Sequence, residues 1–415
     1  MQFLKAHLTK ALVATLIVLI VSANLAQSSD VRTEEQQVDS RLTAASSRFS
    51  FKLYEQILKQ RSDKNTFVSP ASVMLALAMT YNGADGTTRQ AMARALEVDG
   101  MSLEEVNRAF ADLKSALTPT DPKIQIKIAN SLWTRKGFTL KPAFVERNKQ
   151  HYSAEIATLD FSNPTAATAI NSWVNKNTEG KIEKIVEQVS NDDVLFLINA
   201  IYFKGQWKFE FKKENTKPDA FRVPGGEPRQ VPMMSQSGSY LYYKGNIFQS
   251  VALPYGNSGK VSMYLFLPDE QTTLDQFEKN LTAQNWDTWM RSFGVAPGDL
   301  MLPRFKVEWE SALNEALVAA GMAEAFDPAR ANFSQMAPIS PTHNLFISEV
   351  KHKSVCEVNE EGTVAAAATS VRITVTSAQP PQEKFVMKVD RPFFFAIRDN
   401  ETGVLLFMGS VTNPG

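Results

Sequence analysis

Glu360-Glu361-Gly362-Thr363-Val364-Ala365-Ala366-Ala367-Ala368-Thr369-Ser370-Val371-Arg372-Ile373-Thr374-Val375-Thr376-Ser377 is the run on which the reading of this chain turns. Two carboxylates and a glycine open it, four alanines follow, and it then becomes β-branched. Alanine favours helix, whereas Val371, Ile373 and Val375 favour strand, so no single local preference governs it. On a period of two, Thr363, Ala365, Ala367, Thr369, Val371 and Ile373 share a face that is small and uncharged throughout. The opposite face, Val364, Ala366, Ala368, Ser370, Arg372 and Thr374, carries the run's single basic residue. One reading is an ordinary surface strand leading into the Pro380-Pro381 loop. The other is a loop able to become a strand, with Gly362 as a hinge free to take unusual backbone angles.

Working outward, the chain has 415 residues, 44% hydrophobic and 21% charged, enough to bury a large core. Its hydrophobic patterning continues from about Ala44 to Val411 without a low-complexity linker, which favours one large mixed domain. Lys plus Arg equal Asp plus Glu at 44 each, so nothing marks a nucleic-acid footprint. Cys356 is the only cysteine, which excludes an internal disulfide framework and a multi-cysteine metal site.

At the start of the chain, Lys5 and Lys10 precede an apolar run from Ala11 to Ala23, and the small residues of Val21-Ser22-Ala23 and Asn24-Leu25-Ala26 suit cleavage. The run is short for a spanning helix, and it reads as a secretory signal peptide over residues 1–26, cut after 23 or 26. A flexible segment, 27–43, and one domain, 44–415, are expected to follow. The mature protein is expected to be secreted or extracellular, or periplasmic in a bacterium, without membrane association once the leader is removed. Sequons at Asn280, Asn332 and Asn400 matter only in a glycosylating pathway.

Helical spacing predicts helices from Asp39 to Gln60, Ser72 to Tyr81, Thr87 to Leu96, Ser102 to Leu117, Lys141 to Tyr152, Pro164 to Asn177, Thr273 to Trp289 and Ser311 to Ala320. The helix after Ser69-Pro70 is apolar nearly all round and should be buried. Strands are predicted from Ile124 through Trp133, Val194 to Phe203, Tyr240 to Lys244, Phe248 to Pro254, Val261 to Pro268, Leu300 to Trp309, Phe346 to Val358, Phe385 to Val389, Phe393 to Arg398 and Val404 to Val411. Lys204-Gly205-Gln206-Trp207 is read as ending the second of these. Helices come mostly first and strands mostly last, so the pattern predicts an α+β fold with antiparallel or mixed sheets.

Catalytic machinery is sparse. Beyond the leader the histidines are His151, His343 and His352, and neither HExxH, GxSxG nor a phosphate-binding glycine loop is present. Ser348-Glu349-Val350-Lys351 matches the serine-lysine pattern of penicillin-recognising enzymes, but it falls in a strand and lacks a Lys-Thr-Gly companion. Four residues along a strand separate His352 from Cys356 by roughly 13 Å, too far for a bond, and Cys356 reads as a small buried hydrophobe.

Several stretches together carry a family likeness: Asn65-Thr66-Phe67-Val68-Ser69-Pro70, Asn82-Gly83-Ala84 with Gly86-Thr87-Thr88, Asn171-Ser172-Trp173-Val174 with Thr178-Glu179-Gly180-Lys181-Ile182, Asn199-Ala200-Ile201-Tyr202-Phe203-Lys204-Gly205-Gln206-Trp207, and Asp390-Arg391-Pro392-Phe393 with Phe407-Met408-Gly409-Ser410-Val411-Thr412-Asn413-Pro414. In this order, from about Ser46 to the C-terminus, the chain resembles the serpins. The resemblance implies three β-sheets, eight or nine helices and an exposed reactive loop at about 360–380. It also implies a suicide mechanism, in which a protease cuts the loop and the part before the cut inserts into the central sheet, trapping the acyl-enzyme. The nucleophile then belongs to the protease, and no catalytic residue, metal or cofactor is expected.

The resemblance makes Glu360, Glu361, Gly362 and Thr363, with Ala365, Ala366, Ala367 and Ala368, the loop's hinge of the inhibitory type. Inward positions must slide between packed strands, where a charge costs several kcal/mol and a proline removes a ladder bond. Val364 departs from the Glu that many inhibitory relatives carry there, but on this alternation it faces outward. Family loop length places the cleaved bond between Thr376 and Ser377, with Val375-Thr376 or Ser377-Ala378 as the neighbouring registers. Small uncharged side chains there favour an elastase-like target, a chymotrypsin-like one with less support, and leave subtilisin-like or cysteine proteases open. Ser69, Asn199 and Trp207 match residues where the central sheet opens. Read from the residues alone they are a helix cap, a polar residue in a buried strand and an aromatic at a strand end. Leu103 to Leu117 holds only Arg108 and Lys114 as basic residues, so a monomeric inhibitor independent of glycosaminoglycan is expected. The alternative is a non-inhibitory carrier, chaperone or storage member.

Overall fold

The computed structural model describes residues 38–60, 64–340, 344–363 and 383–415. The leader, residues 27–37, His343, Ala365 to Ala368 and the Thr376-Ser377 bond lie outside the described residues.

Each early helix starts where its cap predicts. Asp39 accepts from the Arg41 N–H at the head of α1 (Ser40–Lys59), and after the short β1 (Thr66–Val68) Ser69 accepts from the Ser72 N–H at the head of α2 (Pro70–Tyr81). Every residue of α2 is buried, as its all-round apolar surface requires. Next come α3 (Gly86–Ala95), capped by Asp85, and α4 (Leu103–Ala116), opened by a Ser102/Glu105 capping box. Then follow β2 (Ile124–Arg135), α5 (Pro142–Tyr152), β3 (Glu155–Leu159), α6 (Ala166–Asn177) and β4 (Leu195–Gln206).

The second half is mostly strand: β5 (Lys217–Phe221), β6 (Arg229–Lys244), β7 (Phe248–Pro254), β8 (Val261–Pro268), then α7 (Leu274–Glu278) and α8 (Ala283–Ser292), then β9 (Gly294–Pro303) and β10 (Phe305–Ala312). After α9 (Asn314–Leu317) a π turn at Val318–Met322 leads into α10 (Ala323–Phe326). The chain closes with β11 (Glu349–Asn359), β12 (Gly362–Thr363), β13 (Phe385–Lys388), β14 (Phe393–Asp399) and β15 (Leu405–Val411).

One sheet runs β10-β11-β12-β4-β2-β3 and the other network β1-β15-β14-β8-β7-β6-β9-β13, with β5 beside β6. The second network shares the long β6: its first residues pair with β5 and its last four with β7. Taken by those two halves it is two sheets, which makes three among the described residues. If α9 and α10 are taken as one interrupted helix, the described residues hold nine α-helices, and the architecture is of the α+β class that the sequence predicts.

Five departures from the sequence reading have a physical reason. The strand expected from Leu300 to Trp309 is two, β9 ending at Pro303 and β10 starting at Phe305, because the chain passes from one sheet to the other at Arg304. Ser311 is not a helix start: the half-buried alternation Phe305, Val307, Trp309, Ser311 carries β10 on to Ala312. The span from 273 to 289 is two helices, because Thr282 accepts from the Asn285 N–H and caps a second one. β6 is much longer than Tyr240 to Lys244, since β9 pairs with it from Met233 to Tyr242. Gly205 does not break β4. It is a close-approach position, where a Cβ would stand 2.8 Å from both the Phe203 and Tyr255 rings.

Over the first sheet, Ile170 and Val174 of α6 and Ile182, Ile185 and Val186 of the following linker pack on Trp133, Phe196 and Ile198. Beneath it, Phe67 stacks on Phe407 at 4.9 Å and on Phe395 at 5.5 Å, joining α2 and its flanks to β14 and β15.

Candidate functional site

β11 ends at Asn359, whose side-chain oxygen accepts from the N–H groups of Glu361 at 3.0 Å and Gly362 at 3.2 Å. This asparagine turn reverses the chain. Gly362 and Thr363 then pair antiparallel with Asn359 and Val358 on one side and with Gln206 and Gly205 on the other. Lower down, β11 and β4 pair directly and in parallel, Glu349 with Phe196 through Val355 with Tyr202. The sheet is therefore parted at one end by two residues and closed below them.

Only glycine fits at 362. Its φ is +143°, and a Cβ would stand 2.1 Å from the Gly205 carbonyl oxygen. Thr363 is fully buried, and its hydroxyl meets that of Tyr255 at 2.9 Å. Tyr255 stacks on Trp207 at 4.3 Å, and burial pushes its phenol well above the ordinary range. Trp207 gives its indole N–H to the Asn359 carbonyl at 2.9 Å and its backbone N–H to the Glu361 carbonyl. Burial likewise pushes the Cys356 thiol far up, as for an inert core residue.

Both hinge carboxylates are held from outside the sheet. Glu360, 2% exposed, accepts from Arg304 Nε at 2.8 and 2.9 Å, again from Nη2, and from the Thr216 hydroxyl at 2.5 Å. Burial raises its pKa, but Arg304 and Thr216 outweigh that and hold it below the usual carboxylate range. Glu361 pairs with Lys213 Nζ at 2.5 Å, while its other oxygen is buried without a partner. Removing the Arg304 side chain (Arg304→Ala) should destabilise the docked hinge by about 2 kcal/mol, below the range for a wholly buried pair because Arg304 faces solvent. Thermal unfolding should show it, and Arg304→Lys should recover only part of the loss because it cannot pair bidentately.

Farther down the seam, His352 of β11 and Asn199 of β4 are register partners, and both are fully buried. His352 Nδ1 donates to Asn199 Oδ1 at 2.5 Å, and its Nε2 accepts from the Ser69 N–H at 3.3 Å. This fixes the neutral Nδ1–H tautomer. Asn199 donates to the Ser72 carbonyl at 3.1 Å and to the Ser72 hydroxyl, and the Ser69 hydroxyl donates to the Leu406 carbonyl at 2.6 Å. Burial drives the His352 pKa down to about 3. On the other face of β11, Lys353 Nζ donates to the Lys184 carbonyl at 3.0 Å and pairs with Glu308 and Glu310, so the α6 linker is tied across the seam.

The residues picked out in the sequence thus fall in two places. Glu360, Glu361, Gly362, Thr363 and Trp207 meet at the parted end, and Ser69 and Asn199 meet at the closed part. Sequence reasoning missed Arg304, Lys213, Tyr255, Asn359 and the role of His352. For His352 a signal existed: Val350, His352, Ser354, Cys356 and Val358 alternate as one buried face. The serine-lysine pattern does not assemble. Ser348 Oγ accepts from the Val194 N–H at 2.8 Å, and Lys351 pairs with Glu349 at 3.1 Å.

Comparison with known proteins agrees with this geometry. The family model described as serpin (serine protease inhibitor) matches residues 44–414. Leukocyte elastase inhibitor of Bos taurus is 37% identical over 386 residues, covering 90% of this chain and 99% of its own. Glia-derived nexin of Mus musculus is 34% identical over 376 residues, covering 87% and 91%. Among solved structures, the thermophilic serpin tengpin in its native state superposes with a TM-score of 0.83 at 33% identity, covering 91% of this chain and 95% of its own.

Proposed function

Because the chain belongs to the serpins, we propose that it is a secreted, monomeric suicide inhibitor of an elastase-like serine protease. As a member of that family it is an inhibitor, not an enzyme, and it traps proteases through a conformational switch. The finer reading assigns the mature chain to begin at Asn24 or Gln27, its domain to 44–415, and its reactive bond to Thr376-Ser377. The protease serine attacks the Thr376 carbonyl and the amino group of Ser377 leaves, giving an acyl ester. The segment from Thr363 to Thr376 then enters the seam between β11 and β4.

The buried wedge of Gly362 and Thr363 carries this reading. It is antiparallel to both neighbours, so each further residue added below it replaces a parallel β11–β4 pair with antiparallel pairs on two sides. Antiparallel pairing is the slightly more stable kind, so insertion is downhill and the native state persists by a barrier. At about 3.3 Å per residue the run from Thr363 to Thr376 spans roughly 46 Å, about the length of β4, so the bound protease is carried the length of the sheet. Small side chains before the reactive bond suit an elastase-like pocket, and Ser69, Asn199 and His352 govern how readily the seam opens.

The test is incubation of the chain from Gln27 onward with pancreatic elastase, subtilisin, chymotrypsin and papain. A denaturant-resistant band at the summed mass and a released peptide beginning at Ser377 are expected with elastase. Cleavage with no adduct and an unchanged melting temperature would move the chain to the non-inhibitory members.

A further inference from the structure

Among the described residues five large apolar side chains are exposed, and three of them share one face of β6, β9 and β13: Leu241 at 44%, Val295 at 67% and Val386 at 59%. Leu241 and Val295 are register partners, and Val386 pairs with Asp299, four residues farther along β9. Pro297, between them on β9, faces the same way. Across from it on β6, Ser237 and Ser239 are small, and the Ser237 hydroxyl donates to Asp299 at 2.5 Å. The middle of the face is therefore low, and the Asp299 carboxylate is engaged. The opposite face is the one that packs. Tyr240, Leu300 and Met387 are buried there, and Phe385 stacks on Tyr242 at 4.0 Å. The outer apolar side chains contribute little to the fold, and together they mark a contact surface.

Chain order says which partner. β13 is the edge strand here and begins at Phe385, eight residues after Ser377. Fully extended, eight residues reach at most about 28 Å, whereas a protease of ~240 residues is about 45 Å across. A protease holding Ser377 in its active site is thus tethered to β13 by a length shorter than its own width. We propose that the outer face of β6, β9 and β13, anchored by Leu241, Val295 and Val386, is a secondary docking surface for the elastase-like protease captured at Thr376-Ser377. This rests on the function proposed above and adds to it a determinant of target choice. Thr376 offers the protease a small side chain, and a difference of one methyl group in an apolar pocket discriminates by about a hundredfold at most. Contacts on the body of the inhibitor supply binding energy that the reactive bond does not. Below saturation, that energy raises the second-order rate of capture. The face belongs to a different sheet from the seam between β11 and β4, so it sets how fast the loop is attacked and leaves the later race between insertion and hydrolysis unchanged.

A full mature chain carrying Leu241→Ser, Val295→Ser and Val386→Ser together tests this, with Val318→Ser as the control, since Val318 is exposed on the π turn after α9 and not on this face. Consumption of the intact chain by pancreatic elastase is followed under second-order conditions, so that trapped and simply cleaved molecules are both counted. The triple variant should be consumed about tenfold more slowly than the wild type, with the same melting temperature and the same ratio of adduct to cleaved chain. Val318→Ser should match the wild type. Val295→Ser alone, at the most exposed of the three positions, should slow consumption about threefold and decides the matter if the triple variant melts early. An unchanged rate in these variants, or an equal slowing by Val318→Ser, overturns the proposal. A slowed triple variant in a chain that is cut but never trapped would leave the docking surface standing and remove the inhibitor reading. Normal trapping at an unchanged rate would do the reverse, and no reaction with elastase would overturn both.

Discussion

Replacing Thr363 with arginine should turn the chain from an inhibitor into a substrate. Thr363 is fully buried between β11 and β4, against the Tyr255 hydroxyl. A guanidinium in that position finds no carboxylate on the inward side, because Glu360 and Glu361 are already engaged by Arg304 and Lys213 at the rim. If the uncompensated charge raises the barrier to insertion by about 3 kcal/mol, insertion slows roughly a hundredfold. Trapping is a race between insertion and hydrolysis of the acyl ester, so a delay of that size gives the race to water. Cleavage at the reactive bond should continue at its usual rate while the adduct band disappears. Thr363→Val removes only the hydroxyl contact and should keep most of the trapping. An arginine variant that still forms adduct at near-unit stoichiometry would mean that the wedge is not the start of the inserting strand.

How far the fold could be read in advance depended on whether an element announces itself locally. β7 and β8 are bounded by Gly, Pro and Asn turns and match their predicted ends, and α2 follows from Ser69-Pro70 and a wholly apolar face. Elements set by long-range partners were harder. β5 is short, exposed at its head and contains Pro218, and it exists because the start of β6 pairs with it. β12 is two residues long and is held by contacts to Gln206, Tyr255 and Asn359 that no local pattern encodes. The same division runs through the site. Thr363 was legible because one face of the run it opens is small and uncharged, whereas Glu360 and Glu361 were assigned to the hinge only through the family resemblance. Their anchors were not legible: Arg304 lies 56 positions from Glu360 and looks, in sequence, like any surface arginine.

Acid should loosen the seam at a pH where carboxylates are still ionised. His352 has a folded pKa of about 3 against an ordinary value near 6.5. A depressed folded pKa means that the unfolded or opened chain binds the proton first. Stability from the buried neutral ring is therefore complete above about pH 6.5 and falls as pH drops toward the folded pKa. Between pH 7 and pH 5 the loss should be about 2 kcal/mol from this residue. The structural route is specific. A proton on Nε2 cancels its acceptance from the Ser69 N–H, which unties α2 from β11 at the point where Asn199 spans to Ser72. His151 also has a lowered pKa, from burial and then from Arg147, so the wild-type pH profile alone does not isolate the seam. Comparing it with His352→Gln does. The variant should be less stable at pH 7 yet lose little more on going to pH 5, and its loop should insert or self-associate at a rate with a shallower pH dependence. Parallel decline of the two chains would place the acid sensitivity elsewhere. A steeper decline in the wild type alone would show that one neutral imidazole, wedged between a helix cap and a strand, helps to keep the sheet shut until a loop is cut.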